Sequence, residues 1–195
     1  GQTTQSGPPL DLQRLQEQHR IYCETLAALD IALVYLETEP GFPDGYFVED
    51  AAVVTPEVAV VSRPGAPPRR GEEQAVAEVL ANFRPLKRIE SPGTLDGGDV
   101  LIVARQVFIG LSSRTNRHGA EQLTRILSPY GYQCTALIVD DGLHLKSSVN
   151  HIGGGQLLMT APWDKRPAFA GYEKILVMSA EAHACNTLWL NGHLI

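Results

Sequence analysis

The sequence predicts an α/β fold made of small repeated modules rather than one large doubly wound sheet. Three observations support this: helix-like and strand-like periodicities alternate, most strands occur as closely spaced pairs, and the order helix, strand, two strands recurs. Repetition of one αβ unit along the chain indicates modules that stack side by side or surround an axis. No linker is long enough to separate two domains, so we expect a single domain over residues 1–195.

Helical periodicity predicts three helices, over residues 10–29, 72–83 and 116–127. In the first, apolar and aromatic side chains at steps of three or four share one face: Leu12, Leu15, His19, Tyr22, Leu26 and Leu29. A strand is predicted over 31–36, after the first helix. Further strands are predicted at AAVV, EVAVVS, LKRIE, CTALIVD and QLLMT, together with a hairpin formed by DVLIVA and QVFIGL, and a weaker helix and strands complete the chain.

Composition excludes several classes of partner. The formal net charge of −6 argues against a nucleic acid, which would require clustered Lys and Arg. No apolar run approaches the roughly 18 residues of a membrane span, and residues 1–11 have no signal-peptide pattern, so we expect no membrane partner. The three cysteines, Cys23, Cys134 and Cys185, are widely separated, which predicts a reducing, cytoplasmic compartment and no structural metal.

The loop FPDGYFVED is the first candidate for a binding site. Asp44, Glu49 and Asp50 fall within seven residues and enclose the aromatic pair Tyr46 and Phe47. Carboxylates accept the N–H groups of a planar cation and aromatic rings cover its faces, so this composition is suited to binding a guanidinium group. A solvated acidic loop before a strand is the alternative interpretation.

Two further loops carry candidate acid and base groups. Asp96 and Asp99 flank two glycines in LDGGDV, where Asp-Gly-Gly is also an ordinary turn signal. His144 follows in GLHLKSS, where a histidine beside leucines is also typical of a satisfied core residue. Arg69 and Arg114 occur in separate loops and are suited to binding a carboxylate, although surface arginines are common. Together these groups suggest an amino-acid substrate with a basic side chain.

Six strings make a more specific interpretation. FPDGYFVEDAAVV, SRPGAPPRRGE, SPGTLDGGDV, FIGLSSRTNRHGAEQL, DGLHLKS and CNTLWLNG occur in this order. The chain therefore resembles the dimethylarginine dimethylaminohydrolase family along essentially its whole length. The resemblance implies the pentein fold, a propeller of five ββαβ-type modules around a pseudo-fivefold axis, which agrees with the module order above.

The resemblance also implies the role of each candidate. His144 matches the catalytic histidine and Asp96 the acidic residue that orients it. The substrate would be bound by the acids and the aromatic of the FVED loop and by two arginines that hold its carboxylate: Asp44, Phe47, Glu49, Asp50, Arg69 and Arg114. The family hydrolyses asymmetric dimethylarginine or monomethylarginine to citrulline and an amine without a cofactor or metal.

The ends of the chain depart from the family pattern. In the family the nucleophilic cysteine follows the CNTLWLNG strand, so we expect it after Ile195 and expect this chain to lack the first strand and the last module of the propeller. Strand edges and apolar side chains should then be exposed. Cys185 aligns with an ordinary strand position. An arginine deiminase-like hydrolase, a non-catalytic protein that binds arginine-like ligands or a protein partner, and a homodimer stay open as alternatives.

Overall fold

The protein is described by a computed structural model over residues 11–37, 39–140 and 142–195. The chain builds one type of module three times: an antiparallel hairpin whose second strand pairs in parallel with a third strand. The strands are β1 (Ala52–Val54), β2 (Ala59–Val61) and β3 (Leu86–Arg88), then β4 (Val100–Val103), β5 (Gln106–Leu111) and β6 (Gln133–Ile138), then β7 (Val149–His151), β8 (Gln156–Thr160) and β9 (Glu173–Val177).

Crossover segments join the second and third strands of each module, because parallel neighbours cannot be linked by a tight turn. Helix α1 (Leu12–Ala28) precedes the first module, α2 (Glu73–Leu80) connects β2 to β3, and α3 (Arg117–Leu127) connects β5 to β6. In the third module two short 3₁₀ segments, Ala161–Trp163 and Pro167–Phe169, replace the helix. A small hairpin of β10 (Trp189–Leu190) and β11 (His193–Leu194) completes the order.

Each module begins with a 3₁₀ turn just before its first strand. These turns are Val48–Ala51, Gly97–Asp99 and Leu145–Ser147. The turns of neighbouring modules pack against each other, so the start of each module faces the same region of the molecule. The loops that carry the candidate site residues therefore converge.

Two apolar cores hold the modules together. The first lies between modules one and two, where Leu123 and Leu127 of α3 pack with strand residues such as Val60 and Val107. The second joins modules two and three and contains Phe108 from β5 with Trp163 and Phe169. Trp163 and Phe169, one from each 3₁₀ segment of the third module, are buried. The two segments therefore cover the third sheet as a helix covers the others.

The predicted strand over 31–36 is wrong. Residues 31–37 have no strand assignment, and no strand in the described part of the chain pairs with them. Val34 and Tyr35 are 60% and 72% exposed, so the apolar sequence is not buried in a sheet here. Conversely, β7 was not predicted, because its sequence Val149–His151 is short and two of its three side chains are polar.

Helix α1 forms over Leu12–Ala28, inside the predicted range 10–29; Asp11 and Leu29 are its caps, and residue 10 lies outside the described residues. None of its residues is fully buried. At 17 residues it is the longest helix, and over residues 11–37, 39–140 and 142–195 no helix combines the length and apolar character needed to cross a bilayer.

The edge strand β9 exposes the apolar side chains Ile175 and Leu176, at 44% and 50% of their surface. The expectation that strand edges next to a missing module are exposed stays a prediction. We confirm the predicted modular α/β architecture; the prediction of a single domain over residues 1–195 stays a prediction.

The first turn of α3 provides a test of the packing. Asn116 caps this helix by accepting the N–H of Gly119 at 2.8 Å, and a methyl group on Gly119 would overlap the carbonyl oxygen of Thr94. Alanine normally favours a helix over glycine, but here we expect Gly119→Ala to lower the free energy of unfolding by about 1–3 kcal/mol through overpacking.

Urea denaturation of the full-length protein measures this change. Gly171→Ala is the matched control, because nothing lies within 4 Å of the added methyl group. Equal stability of Gly119→Ala and the wild type would contradict the close approach of α3 to Thr94.

Candidate active site

His144 and Asp96 form the centre of the site. Nε2 of His144 lies 3.3 Å from Oδ2 of Asp96 and 4.0 Å from Oδ1 of Asp50. The imidazole is buried, and burial alone would lower its pKa. The hydrogen bond with Asp96 and the negative charges of Asp50 and Asp99 outweigh burial, so the pKa of His144 is raised above its ordinary value of 6.5. The site therefore favours the protonated imidazole, which is a proton donor.

Asp96 is completely buried behind the histidine. Burial raises the pKa of its carboxyl group, but the hydrogen bonds from His144 and from the N–H of Gly65, the latter at 2.9 Å, reverse the shift, and the net pKa is lowered. Nη1 of Arg114 and Nη1 of Arg69 lie 3.7 and 4.0 Å from the same Oδ2. Asp96 is thus favoured as a carboxylate in contact with the imidazole, and the prediction that it orients His144 stays a prediction.

Gly98 explains the double glycine of LDGGDV. Its N–H donates to Oδ1 of Asp50 at 2.9 Å. A Cβ at this position would lie 2.8 Å from that oxygen and 2.9 Å from Cγ of His144, which leaves no room for a side chain. The motif forms a 3₁₀ turn that brings Asp50 and His144 close together, and it is not the hairpin turn that its composition suggests.

A buried ion-pair network surrounds Arg69. Nη1 of Arg69 lies 2.7 Å from Oδ2 of Asp50, its Nη2 pairs with Glu72, and its Cζ is 5.9 Å from the centre of the Phe47 ring. Burial raises the pKa of Glu72, and the cation of Arg69 opposes that shift only in part. Burial would lower the pKa of Arg69, but its ion pairs raise it overall.

Glu72 was not among the predicted site residues. Its position three residues after Arg69 in RRGE is the only sequence signal for this pair. The prediction that Arg69 binds a substrate carboxylate stays a prediction, because in this structure its guanidinium contacts two carboxylates of the protein.

These groups border a cavity of about 550 Å³. Its wall includes every predicted site residue except Asp96, which lies behind His144: Asp44, Phe47, Glu49, Asp50, Arg69, Arg114 and His144. Lys146 and Tyr22 also line it, and Nζ of Lys146 lies 2.8 Å from Oε1 of Glu49. Acidic groups, guanidinium groups and an aromatic ring therefore share one cavity of a size suited to a small molecule.

Asp50, Asp96 and His144 also have a spacing that could hold a metal ion, since one ligand atom from each lies within 4.8 Å of the others. Two features oppose a cation at this place. Both carboxylates already accept hydrogen bonds from backbone N–H groups, and two guanidinium groups lie within 4.0 Å of Oδ2 of Asp96. The absence of a metal from the reaction stays a prediction.

None of the three cysteines lines this cavity. Cys23 lies on α1 and Cys134 on β6, whereas Cys185 ends the 3₁₀ segment Ser179–Cys185, so its predicted strand position is wrong; all three are free thiols. Cys185 is completely buried, and burial raises the pKa of its thiol to about 11, which suppresses the reactive thiolate. A structural role fits all three better than that of a nucleophile.

Comparison with known proteins identifies the family. The family model described as arginine deiminase matches residues 14–151. An N(G),N(G)-dimethylarginine dimethylaminohydrolase of Pseudomonas aeruginosa is 34% identical over 187 residues, which cover 95% of this chain and 74% of the relative. The chain belongs to the dimethylarginine dimethylaminohydrolase family of the pentein superfamily. A Streptomyces coelicolor enzyme of the same name is 37% identical over 153 residues, covering 78% of this chain and 59% of the relative.

Solved structures confirm the pentein fold. A cysteine-to-serine mutant of the Pseudomonas aeruginosa enzyme complexed with citrulline superposes with a TM-score of 0.96 at 34% identity, covering all of this chain and 77% of that one. A dimethylarginine dimethylaminohydrolase adduct with S-methyl-L-thiocitrulline has a TM-score of 0.91 at 33% identity, covering 94% and 73%. The N-terminal domain of a cyanobacterial arginine dihydrolase has a TM-score of 0.84 at 22% identity, which shows a shared fold.

The His144–Asp96 contact predicts a measurable titration. We expect Asp96→Asn to lower the pKa of His144, because the imidazolium loses its closest anion. Since the folded-state pKa of His144 is raised, its contribution to stability is fully present below about pH 6.5 and is lost as the pH rises through the folded-state value. The variant should lose much of this pH-dependent stability.

NMR titration of the His144 ring measures the pKa directly. Asp164→Asn, which alters an acid paired with Lys174 in the third module, is the control and should leave the titration unchanged. An unchanged pKa of His144 in Asp96→Asn would show that the two side chains are not coupled.

Proposed function

We propose that this protein hydrolyses N-omega-methylated arginines, asymmetric dimethylarginine and monomethylarginine, to citrulline and dimethylamine or methylamine. The observation that carries the proposal is the buried pair of His144 and Asp96 on a cavity that presents both carboxylates and guanidinium groups. The similar Pseudomonas aeruginosa enzyme is named for this reaction, and a structure of it contains citrulline.

The proposed mechanism uses a cysteine thiolate because a guanidinium carbon, whose charge is spread over three nitrogens, is a poor electrophile for water. The sulfur forms a bond to this carbon, the bond from carbon to the methylated nitrogen breaks, and that nitrogen leaves as an amine after taking the proton of His144. The product of this step is a covalent thiouronium intermediate on the cysteine. Water then adds to its central carbon and gives a proton to His144. As the C–S bond breaks, the oxygen of this water becomes the carbonyl oxygen of citrulline, its second proton passes through solvent to the released amine, and the thiolate is regenerated. No cofactor is required.

The nucleophile in this proposal is a cysteine in a segment that follows Ile195 in the family. The positions of Cys23, Cys134 and Cys185, all away from the cavity wall, support this choice. A substrate cation bound beside the thiol would help to keep it ionised.

The acidic and basic groups of the cavity bind opposite ends of the substrate. Asp44, Glu49 and Asp50 bind the guanidinium, and the half-exposed ring of Phe47 covers it. Arg114, with support from Arg69, binds the carboxylate. This assignment is supported by the presence of the acids and both arginines on the wall of one cavity.

A related hydrolysis of unmethylated arginine is the second candidate. It is favoured by the match of residues 14–151 to the arginine deiminase model. We further propose a reducing, cytoplasmic location on the strength of the three free thiols. A homodimer, and the absence of nucleic-acid and membrane partners, stay predictions.

A citrulline assay tests the reaction. We expect the full-length protein to release citrulline from both methylated arginines, and we expect His144→Gln to abolish turnover while substrate binding stays nearly intact, because the ring transfers protons. His118→Gln, an exposed histidine of α3 beside Glu121, is the control and should retain activity. Citrulline formed from arginine alone would favour the second candidate, and none from any of the three would refute hydrolysis.

The role of Arg114 predicts a difference between two ligands. Loss of one partner of a desolvated charge pair costs about 2–5 kcal/mol, so Arg114→Ala should weaken the binding of methylarginine by that amount. A methylated agmatine has no carboxylate, and its binding should be nearly unchanged. Asp50→Asn should weaken both ligands alike, since both carry the guanidinium.

Titration calorimetry with the two ligands on the full-length protein decides between these outcomes. Arg117→Ala, at the exposed start of α3, is the matched control for removal of an arginine. Equal losses for both ligands in Arg114→Ala would mean that this arginine is structural and does not bind the carboxylate.

A further inference from the structure

Asp99 is a buried carboxylate that has no contact with the substrate in the proposed mechanism. It is completely buried, does not line the cavity, and lies at the end of the 3₁₀ turn Gly97–Asp99. Its Oδ1 accepts the N–H of Leu145 at 2.9 Å, and its Oδ2 accepts the hydroxyl of Ser112 at 2.6 Å. Leu145 directly follows His144, so one oxygen of Asp99 is bonded to the backbone that carries the catalytic ring.

The second oxygen of Asp99 leads to Arg114. Oγ of Ser112 accepts the N–H of Arg114 at 3.0 Å and the N–H of Thr115 at 3.2 Å. Both lone pairs of this hydroxyl are therefore occupied, and its single hydrogen is directed to Asp99. The Ser112 hydroxyl must therefore donate to the group at position 99. A carboxylate oxygen of Asp99 accepts this hydrogen bond, whereas the NH₂ group of an asparagine would not.

Thr115 connects the same network to Asp96. Its Oγ1 accepts the N–H of Asp96 at 3.1 Å, and its side chain also bonds to Asp99. Two loops, carrying His144 and Arg114, are thereby bonded directly or through one residue to the carboxylate of Asp99, which lies on the same turn as Asp96.

We propose that Asp99 is a positioning residue that sets the spacing between the proton-transfer pair and the carboxylate-binding arginine of this enzyme. The proposal rests on the proposed function for the roles of His144 and Arg114, but its hydrogen-bond geometry does not. Charge-assisted bonds of this kind are stronger than neutral ones, and a buried acceptor cannot exchange them for bonds to water.

The surroundings leave Asp99 little freedom. A Cβ at Gly110 would lie 2.8 Å from its Oδ1, so β5 approaches the carboxylate closely only because glycine stands there. Burial raises the pKa of this carboxyl group. An acid kept at such a position, with every oxygen directed to a donor that belongs to a site loop, indicates a requirement for its acceptor geometry.

The network has two arms: Oδ1 of Asp99 bonds to the N–H of Leu145, and Oδ2 is connected through Ser112 to Arg114. Asp99→Asn and Ser112→Ala both break the second arm and leave the first in place. In Asp99→Asn the amide oxygen keeps the bond to the N–H of Leu145, and the NH₂ group faces a hydroxyl that needs an acceptor. Ser112→Ala breaks the same arm and leaves the charge of Asp99 in place. Both variants should therefore raise KM for methylarginine by roughly tenfold to a hundredfold through displacement of Arg114. Ser112→Ala should change kcat less than KM, whereas Asp99→Asn should also lower kcat, because it removes one of the negative charges that raise the pKa of His144.

Three comparisons distinguish positioning from a general loss of stability. The double variant should raise KM for methylarginine no more than the single variants do, since both break the same contact between Asp99 and Ser112. The KM for methylated agmatine, which has no carboxylate, should change little. Val60→Ala, which truncates a buried core side chain of β2, is the control; it should lower stability without changing KM. Additive effects on KM, or an equal increase in KM for both substrates, would overturn the proposal.

Amide hydrogen exchange supplies a readout that is independent of catalysis. Asp99→Asn and Ser112→Ala should each speed exchange at the N–H groups of Arg114 and Thr115 by about tenfold or more, while Leu145 keeps its protection. If the wild type releases no citrulline, the proposed function fails and this experiment still judges the role of Asp99. Unchanged exchange at Arg114 and Thr115 in both variants would overturn it.

Discussion

Two buried aspartates bond the first turn of one module to the first turn of the next. Oδ1 of Asp50 accepts the N–H of Gly98, and Oδ1 of Asp99 accepts the N–H of Leu145. The first N–H groups of a short 3₁₀ turn have no partner within the turn, and leaving one buried without an acceptor costs about 1–3 kcal/mol. The contacts that satisfy these turns therefore also fix the distance between neighbouring modules, and the rest of the site depends on that distance.

The buried acidic side chains of the site depend on Arg69 to compensate their negative charges. Asp50, Asp96 and Glu72 are all buried, and like charges at this separation repel strongly in a medium of low polarisability. Arg69 lies among the three, 2.7 Å from Asp50, paired with Glu72 and 4.0 Å from Asp96. Removing one partner of a buried pair typically costs about 3–5 kcal/mol, because the other charge is left uncompensated. Arg69 thus contributes to the site as a counter-ion, whatever it contributes to a substrate.

The order of the modules could be predicted from the sequence because strand pairs and helices leave local periodic patterns. Pairing partners leave no such pattern. The segment 31–36 has the composition of a strand, yet it lies beside no described strand, and the short polar β7 pairs with β8 although its composition does not suggest a strand. Apolar periodicity also predicted a buried face on α1, where the described residues bury none of its side chains completely.

The site could be predicted only in part for a related reason. The acids, arginines and His144 were found through motif resemblance, whereas Glu72 and the role of Asp99 depend on contacts that residue type does not reveal. One overlooked signal is the repeat spacing: Gly98 is 48 residues from Asp50, His144 is 48 from Asp96, and Leu145 is 46 from Asp99. A period of this length, sought directly, would have placed these turns at equivalent ends of successive modules and predicted their convergence.

The same repeat explains how one contact acquired two uses. Asp50 and Asp99 each give one oxygen to the turn of the next module. The second oxygen of Asp50 faces Arg69 beside the cavity, whereas the second oxygen of Asp99 is enclosed by Ser112 away from it. The hydrogen bond from Oδ1 to the next turn is therefore the same in both modules. The group next to Oδ2 determines whether the aspartate can contact a ligand or instead positions residues that contact it. In a repeat fold, a site can thus be built from one structural contact by changing only what surrounds it.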